Sequence, residues 1–255
     1  MAIVIGAKSK LGSGGTRSTA GIYVIHEFDS SGTFTPGSTG KVDIVAIGGG
    51  GSRGPQGPPS WGTGGGAGGV ILRKFLNVTA GTAYTMTVAG VNGLTTAFYD
   101  GGAVTAHNGA QGSAGQSSGN PGGISTAASG SGGGGWNVSA GGTGANIVGQ
   151  GMPGFASPPS AGASSSTGGG GGAQSGGPVS TFQIAGGDGV NIGYFTGNPA
   201  HIVSIGGPGY NNQTPEGTPN PRAAELYGNG GGVVGPSNSE GTTPAQPGAI
   251  FIRYI

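Results

Sequence analysis

Residues 131–136 read SGGGGW and residues 167–173 read TGGGGGA, and both runs lie within residues 101–187, which contain no Asp, Glu, Lys or Arg. Most of that stretch is Gly, Ser, Ala, Thr, Asn and Gln with occasional apolar residues. Glycine loses more conformational entropy on folding than any other residue, and ordering one residue costs about 1–2 kcal/mol. The stretch therefore either stays disordered or joins its backbone amides and carbonyls into a hydrogen-bonded lattice. Which of these two states it adopts decides the fold.

The composition of the whole chain favours order over disorder. It has 66 Gly and 17 Pro among 255 residues, which without a strict period is typical of low-complexity sequence. Disorder, however, accompanies low hydrophobicity and high net charge. This chain is 33% hydrophobic and 7% charged, with a formal net charge of +1, so we expect it to collapse rather than to swell.

Strand patterns lie on both sides of the glycine-rich body, and no stretch longer than a turn or two resembles a helix. Segments 41–47 (KVDIVAI) and 249–255 (AIFIRYI) have the strongest strand character, and we expect them to be neighbours in one sheet. Residues 30–40 are interpreted as turns, and residues 209–247 as ordered loops. In residues 82–88, alternation predicts one buried face. The remaining predicted strands are residues 21–28, 69–78, 82–89, 94–99 and 103–107.

Three motifs in order along the chain resemble the glycine-rich domain of bacteriophage tail and appendage proteins. A strand runs into a glycine run (VDIVAIGGGG, 42–51), GGAGG leads into a strand (65–90), and the chain closes with GAIFIRY (248–254). The resemblance covers residues 21–255. It implies a mostly β fold: a small antiparallel sheet or sandwich core, a packed array of polyglycine II helices, and essentially no α-helix. We expect residues 1–20 to be either a frayed terminus or a polar arm that docks on the virion, and residues 21–255 to be a single domain.

The sequence carries no pattern that predicts catalysis, a cofactor or a metal ion. Cysteine is absent, and the histidines and the eight acidic residues are spaced singly. Two G-x-S-x-G matches, at 50–54 and 115–119, lack the strand–turn–helix context of a nucleophile elbow. We therefore expect a protein that is not an enzyme. A polysaccharide-degrading enzyme would need a pair of carboxylates, and no pair is close enough in sequence to propose.

Partners and location follow from charge and from the resemblance. Nine basic residues spread along the chain offer no nucleic-acid patch, since the largest local excess is the pair Arg73 and Lys74. The apolar run 2–5 is too short for a signal peptide and no segment could span a membrane, so we expect cytoplasmic synthesis and no membrane insertion. The resemblance implies a place in the virion beside other virion proteins, with trimerisation by family analogy.

Aromatic residues among glycines are the candidates for surface recognition, because amphipathic rings dominate contact energy. The alternative is that these rings plug the ends of the glycine lattice. The selected candidates are Trp61, Tyr194, Phe195 and Tyr210.

The leading hypothesis is a tail- or fibre-associated adhesin whose loops contact a glycan or protein of the host surface. The alternative is a capsid decoration or cement protein, or a passive spacer in the virion.

Overall fold

The computed structural model describes residues 11–54, 63–112, 131, 188–207, 227–233 and 242–255. The described part is mostly β, with antiparallel sheets and a single helical turn, as the sequence predicts. The strands are β1 Thr16–Ala20, β2 Tyr23–Phe28, β3 Gly32–Phe34, β4 Gly40–Ile47, β5 Val70–Val78, β6 Tyr84–Thr87, β7 Thr95–Tyr99, β8 Gly102–Ala106, β9 Val190–Asn191, β10 Ile202–Val203, β11 Gly232–Val233, β12 Thr242–Thr243 and β13 Ala249–Tyr254; the helical turn α1 is Gly193–Thr196.

The larger sheet has the strand order β1-β2-β13-β4-β5, and every neighbouring pair is antiparallel. Its central strand is β13, where Ile252 lies opposite both His26 of β2 and Ile44 of β4. The prediction that segments 41–47 and 249–255 are neighbours in one sheet is therefore confirmed.

A four-stranded sheet with the order β3-β6-β7-β8 packs on one face of the larger sheet. The core between the two sheets contains Phe34 and Met86 from the small sheet and Ile44 and Ile250 from the large one. In β6 the buried side chains Tyr84 and Met86 alternate with exposed ones, which confirms the predicted alternation for this strand, whereas Thr82, at the start of the predicted segment, is exposed. The two sheets form a sandwich.

The other face of the larger sheet is covered by β9, α1 and β10. Ile192, Phe195 and Val203 from this layer pack on Val45 and Phe251 of the sheet. Both faces of β13 are thus covered, and five of its six residues are buried. This is why β13 appears in the sequence as an apolar run rather than as an alternating strand.

Two strands lie where the sequence predicts an arm and turns. The expected arm of residues 1–20 ends in β1, which pairs with β2 as an edge strand of the domain. Its side chains are almost all exposed, so TRSTA carries no hydrophobic pattern. The expected turns of residues 30–40 contain β3, which has three residues and one buried side chain, Phe34.

The sandwich has two different ends. The connections β1–β2, β3–β4, β5–β6 and β7–β8 lie together with α1 at one end, which we call the turn end. At the opposite end Ala249, Ile47 and Val70 lie side by side in register. Glycine-rich segments continue from these strand ends, and we call this the lattice end.

Candidate functional site

The most extensive feature at the lattice end is a set of short backbone segments that hydrogen-bond to one another. These segments, which we call the glycine lattice, are residues 48–54, 63–69, 107–112, 205–207, 228–231 and 246–248, together with Ser131. Hardly any regular β-ladder joins them, although each peptide–peptide bond has ordinary length. The amides and carbonyls that emerge from the sandwich are thereby satisfied within the protein, as buried backbone groups require.

Segment 63–69 lies at the centre of the lattice. Its backbone N–H groups donate to two neighbouring segments, and the two donors to each neighbour are three residues apart. Residues 65 and 68 donate to one neighbouring segment, and residues 66 and 69 donate to another. The bonds, 2.7–2.9 Å long, run from Gly65 N–H to Gly231 O, from Gly66 N–H to Ala110 O, from Gly68 N–H to Gly228 O and from Gly69 N–H to His107 O.

Segment 48–54 repeats this period. Every third amide donates to the central segment: Gly48 N–H to Gly69 O, Gly51 N–H to Gly66 O and Gly54 N–H to Thr63 O. The amides between them face other parts of the chain, for example Gly50, which donates to Gln246 O at 2.9 Å. Each segment therefore bonds to several neighbours around its axis, unlike a β-strand, which bonds on two sides.

Glycine is needed in the lattice because the segments approach too closely for side chains. An ideal Cβ built on Gly65 would lie 2.1 Å from Gly51 O, and one on Gly68 would lie 2.0 Å from Gly48 O. Methyl groups are accommodated elsewhere, since Ala67 and Ala110 are buried in the lattice. Within the lattice, glycine therefore occupies the positions that face a neighbouring backbone.

The side chains of two asparagines add hydrogen bonds to the backbone of the lattice. The Oδ1 of Asn229, which is fully buried, accepts a hydrogen bond from Ile205 N–H at 2.8 Å. The Oδ1 of Asn92 accepts from Ser52 N–H at 2.8 Å, and its Nδ2 donates to Ser52 Oγ at 3.2 Å. Their sequence contexts, VNG and GNGGG, resemble ordinary turns, so nothing in the sequence distinguishes these two asparagines from others.

Trp61 and Tyr210, two of the four predicted recognition residues, lie outside the described residues. The described residues on either side of them, at 54 and 63 and at 207 and 227, belong to or adjoin the lattice. Most of residues 101–187 also lies outside the described part. From that stretch, residues 107, 109, 110, 112 and 131 are bonded into the lattice.

Tyr194 and Phe195 are adjacent in α1, at the turn end, and their environments differ. The side chain of Tyr194 is exposed, with 61% of its surface accessible. Phe195 is fully buried at 0% and packs in the core beneath the larger sheet, so the prediction that it is a surface-recognition residue is wrong. Within this one turn, the ring of Phe195 packs into the core and the ring of Tyr194 lies on the surface.

A buried ion pair lies under Tyr194. Arg253 Nη2 is 2.9 Å from Asp43 Oδ2, and Arg253 Nη1 donates to Tyr194 O at 3.1 Å. The guanidinium carbon lies 4.4 Å from the ring centre of Tyr23 and 4.3 Å from that of Phe195, within cation–π range. Asp43 Oδ1 also accepts from Phe75 N–H at 3.1 Å, so one cluster holds α1 and β5 together.

His26 fastens the chain that precedes β1. Its Nδ1 lies 2.6 Å from Gly14 O, which can only accept, so Nδ1 carries the proton. Nε2 then accepts from the Tyr254 hydroxyl at 3.0 Å, and the oxygen of that hydroxyl accepts from Gly12 N–H at 2.8 Å. Burial lowers the pKa of His26, against an opposing effect of its bond to Gly14.

The contacts of the other titratable groups are typical of structural residues rather than of a reactive centre. Burial lowers the pKa of His107 and of His201, and His201 Nδ1 lies 3.0 Å from Thr196 Oγ1. Burial, together with a 2.6 Å hydrogen bond to Glu27 Oε1, raises the pKa of Tyr227. Within the described ranges, no three His, Asp or Glu side chains are grouped so that they could hold a metal ion.

A small cavity lies at the turn end between the β3–β4 connection and the end of β13. Its volume is about 90 Å³, well below the ~300–1,000 Å³ of typical small-molecule sites. Its walls include the side chains of Phe34, Val42, Val78 and Tyr254. The glycine lattice is therefore the better candidate for a functional feature.

Comparison with known proteins assigns the chain to no family. No model of a protein family matches the chain, and no characterised protein matches it either. In the part of the chain that the structure describes, no helix has the length and apolar character needed to cross a membrane.

Proposed function

We propose that the lattice segments are polyglycine II helices. The observation in favour is the period of three in the hydrogen bonds of residues 48–54 and 63–69, since this left-handed helix has three residues per turn and no internal hydrogen bonds. Close approach of the backbones at Gly65 and Gly68 is also what glycine at contact positions would permit.

Hydrogen exchange tests the proposed helices. Amides 48, 50, 51, 65, 66, 68 and 69 should exchange slowly and as one cooperative group with the sandwich. Gly90, an exposed residue in a loop at the same end, is the internal reference for fast exchange. Random-coil rates at residues 65–69 would contradict the proposal.

We propose further that the chain is a phage virion protein, a tail- or fibre-associated adhesin. The observation that carries this proposal is that the lattice is held by hydrogen bonds between backbone groups, which require few specific side chains. Binding residues are commonly found on loops that a rigid scaffold positions. The resemblance to phage glycine-rich domains supplies the biological setting.

The adhesin proposal is tested by binding of labelled protein to cells of the host. Trp61→Ala and Tyr210→Ala, which lie in sequence between lattice segments, should weaken cell binding without changing the melting temperature. Phe98→Ala, which removes a half-exposed ring from the small sheet, is the matched control and should bind like the parent protein. Absence of cell binding, together with normal phage adsorption when the protein is missing, would refute it.

The rival proposal is a decoration protein or spacer. Immunogold labelling of particles separates the alternatives, because hundreds of copies on the head would exclude a tail tip. Labelling on the tail without cell binding would favour the spacer. Mass photometry of the purified protein would test the trimer that the family analogy suggests.

A further inference from the structure

The exposed apolar side chains of the described part are concentrated at the turn end. The five most exposed large ones are Ile255 (72%), Phe75 (70%), Ile22 (69%), Tyr194 (61%) and Leu11 (53%). Four of them lie at the turn end: Ile22 in the β1–β2 connection, Tyr194 in α1, Ile255 after β13, and Leu11 beside Gly12, whose N–H reaches Tyr254. Phe75 lies within β5, three residues before Val78, the turn-end residue of that strand. Single exposed apolar residues need no explanation, but a concentration at one end indicates a contact surface.

Phe75 is held outward by a strained backbone. Its φ is 60°, a left-handed conformation that is an outlier for a bulky residue. It lies opposite a register irregularity between Val42 and Ile44 of β4, and its N–H donates to Asp43 Oδ1. Burial of the Phe75 side chain does not offset the free-energy cost of this backbone conformation, because the ring is exposed. Strain of this kind is concentrated at functional sites.

Tyr194 is fixed by the same cluster. Arg253 donates to its carbonyl oxygen while it pairs with Asp43. Side-chain exposures of only 9% for Arg253 and 16% for Asp43 make this ion pair rigid and poorly screened by solvent. The backbone groups of Phe75 and Tyr194, the residues that carry the two exposed rings, are therefore bonded to the same ion pair.

The charges around these rings are mainly positive. Lys41, Arg73 and Lys74 are exposed, and no described carboxylate pairs with them. Asp43 is neutralised by Arg253. The oxygens of Asp100 accept from the hydroxyls of Tyr84 and Thr79, at 2.5 and 2.8 Å. An excess of cations disfavours docking of this surface against a second copy of itself and favours an anionic partner.

We propose that the turn end docks on an anionic phospholipid surface, with Ile22, Phe75 and Tyr194 entering the headgroup layer and Lys41, Arg73 and Lys74 facing the phosphates. Apolar and aromatic tips surrounded by Lys and Arg are the features by which proteins lie on such interfaces without spanning them. The three tips project from different elements: Ile22 from the β1–β2 connection, Phe75 from β5 and Tyr194 from α1. A fluid interface accommodates separate tips without the matching pockets that a protein partner would need.

Co-sedimentation with vesicles tests the proposal. The purified full chain should bind vesicles of equal parts phosphatidylcholine and phosphatidylglycerol, and bind pure phosphatidylcholine vesicles far more weakly. Rising salt should release it. Lys74→Gln should lower the partition coefficient about fivefold, the factor for one cation near an anionic membrane. Arg17→Gln, which removes an exposed cation from the opposite edge strand, should leave it unchanged.

Phe75→Asn tests the apolar contribution. Asparagine tolerates positive φ, so this variant removes the ring without adding backbone strain. It should lose binding several-fold with an unchanged melting temperature. Leu94→Asn, which removes an exposed apolar side chain at the lattice end, should bind normally. Tyr194→Ser provides a second variant if Phe75→Asn does not fold.

Three outcomes would overturn the proposal. The first is no binding to phosphatidylglycerol vesicles at low salt. The second is an equal loss of binding in the control variants. The third is self-association in sedimentation velocity that Phe75→Asn abolishes while the vesicles remain unbound, because that result would assign the surface to a protein partner.

Discussion

The carbonyl oxygen of Asn229 occupies the place where a side chain of residue 50 would begin. A Cβ built on Gly50 would lie 1.8 Å from this oxygen, where real Cβ atoms are not found. Gly50 also donates to Gln246 O and accepts from Asn92 N–H. At this point the lattice is held by peptide groups in contact with peptide groups, so a single methyl group would force segments apart.

Gly50→Ala should therefore destabilise the protein. Overpacking commonly costs about 1–3 kcal/mol, and separation of the segments would break hydrogen bonds as well. At this chain length, the melting temperature should fall by about 2–4 °C for each kcal/mol. The matched control is Gly90→Ala, where an added Cβ meets nothing within 4 Å. Calorimetry that finds the two variants equally stable would contradict a tightly packed lattice.

Ser204 carries two unfavourable features at once, and its replacement should stabilise the protein. It is fully buried with a φ of 59°, and its hydroxyl has no hydrogen-bond partner among the described residues. Ser204→Gly removes both the strain and the unpaired hydroxyl, and should raise the free energy of unfolding by about 1–2 kcal/mol. Ser204→Ala keeps the strain, and in urea unfolding it should gain less. A loss of stability in both variants would indicate a role for the hydroxyl.

Breaking the ion pair of Arg253 should be costly. Asp43→Asn leaves the guanidinium buried without its carboxylate, and removal of one partner of a buried pair costs about 3–5 kcal/mol. The amide oxygen of the introduced asparagine can still accept from Phe75 N–H, so the loss reports on the charge. Asp29→Asn, at an exposed carboxylate, should change stability by less than about 0.5 kcal/mol. Chemical denaturation yields both values, and similar values would argue against a buried pair.

Stability should fall as the pH drops below about 6.5, the ordinary pKa of histidine. Burial lowers the pKa of His26, His107 and His201 in the folded protein, so the unfolded chain binds more protons in this range. The stabilisation is complete above about pH 6.5 and is lost as the pH falls through the folded pKa values.

Urea unfolding between about pH 7.5 and pH 5 measures this slope, which has an upper limit of about 1.4 kcal/mol per pH unit for each histidine. His26→Asn retains a donor for Gly14 O and should flatten the profile. A slope that is the same with and without His26 would assign the effect to the other two histidines.

The sandwich was largely predictable from the sequence because its strands carry local signals. Strand β13 is a run of apolar, mostly β-branched or aromatic residues, and β6 alternates between buried and exposed side chains. Strands β1 and β3 were missed, because neither strand has a local pattern: their places are set by pairing with β2 and β6.

The candidate site was harder to predict for a physical reason. A lattice of hydrogen bonds between peptide groups uses donors and acceptors that every residue except proline has. Composition therefore indicates that a lattice can form and does not indicate which segments join it. Residues 63–69 lie at its centre because of tertiary contacts with segments far apart in the chain. Phe195 and Tyr194 occupy similar sequence contexts, and only the turn of α1 determines which ring is buried.

The position of β13 also has a consequence for synthesis. This strand separates β2 from β4, so neither can occupy its final place in the sheet until the last residues of the described chain have left the ribosome. The pairing of β13 with β4 closes a loop of about 200 residues, and contacts of such long range slow folding. Until that moment the nascent chain exposes the unpaired edges of β2 and β4, so the time between translation and closure is when it is most prone to aggregate.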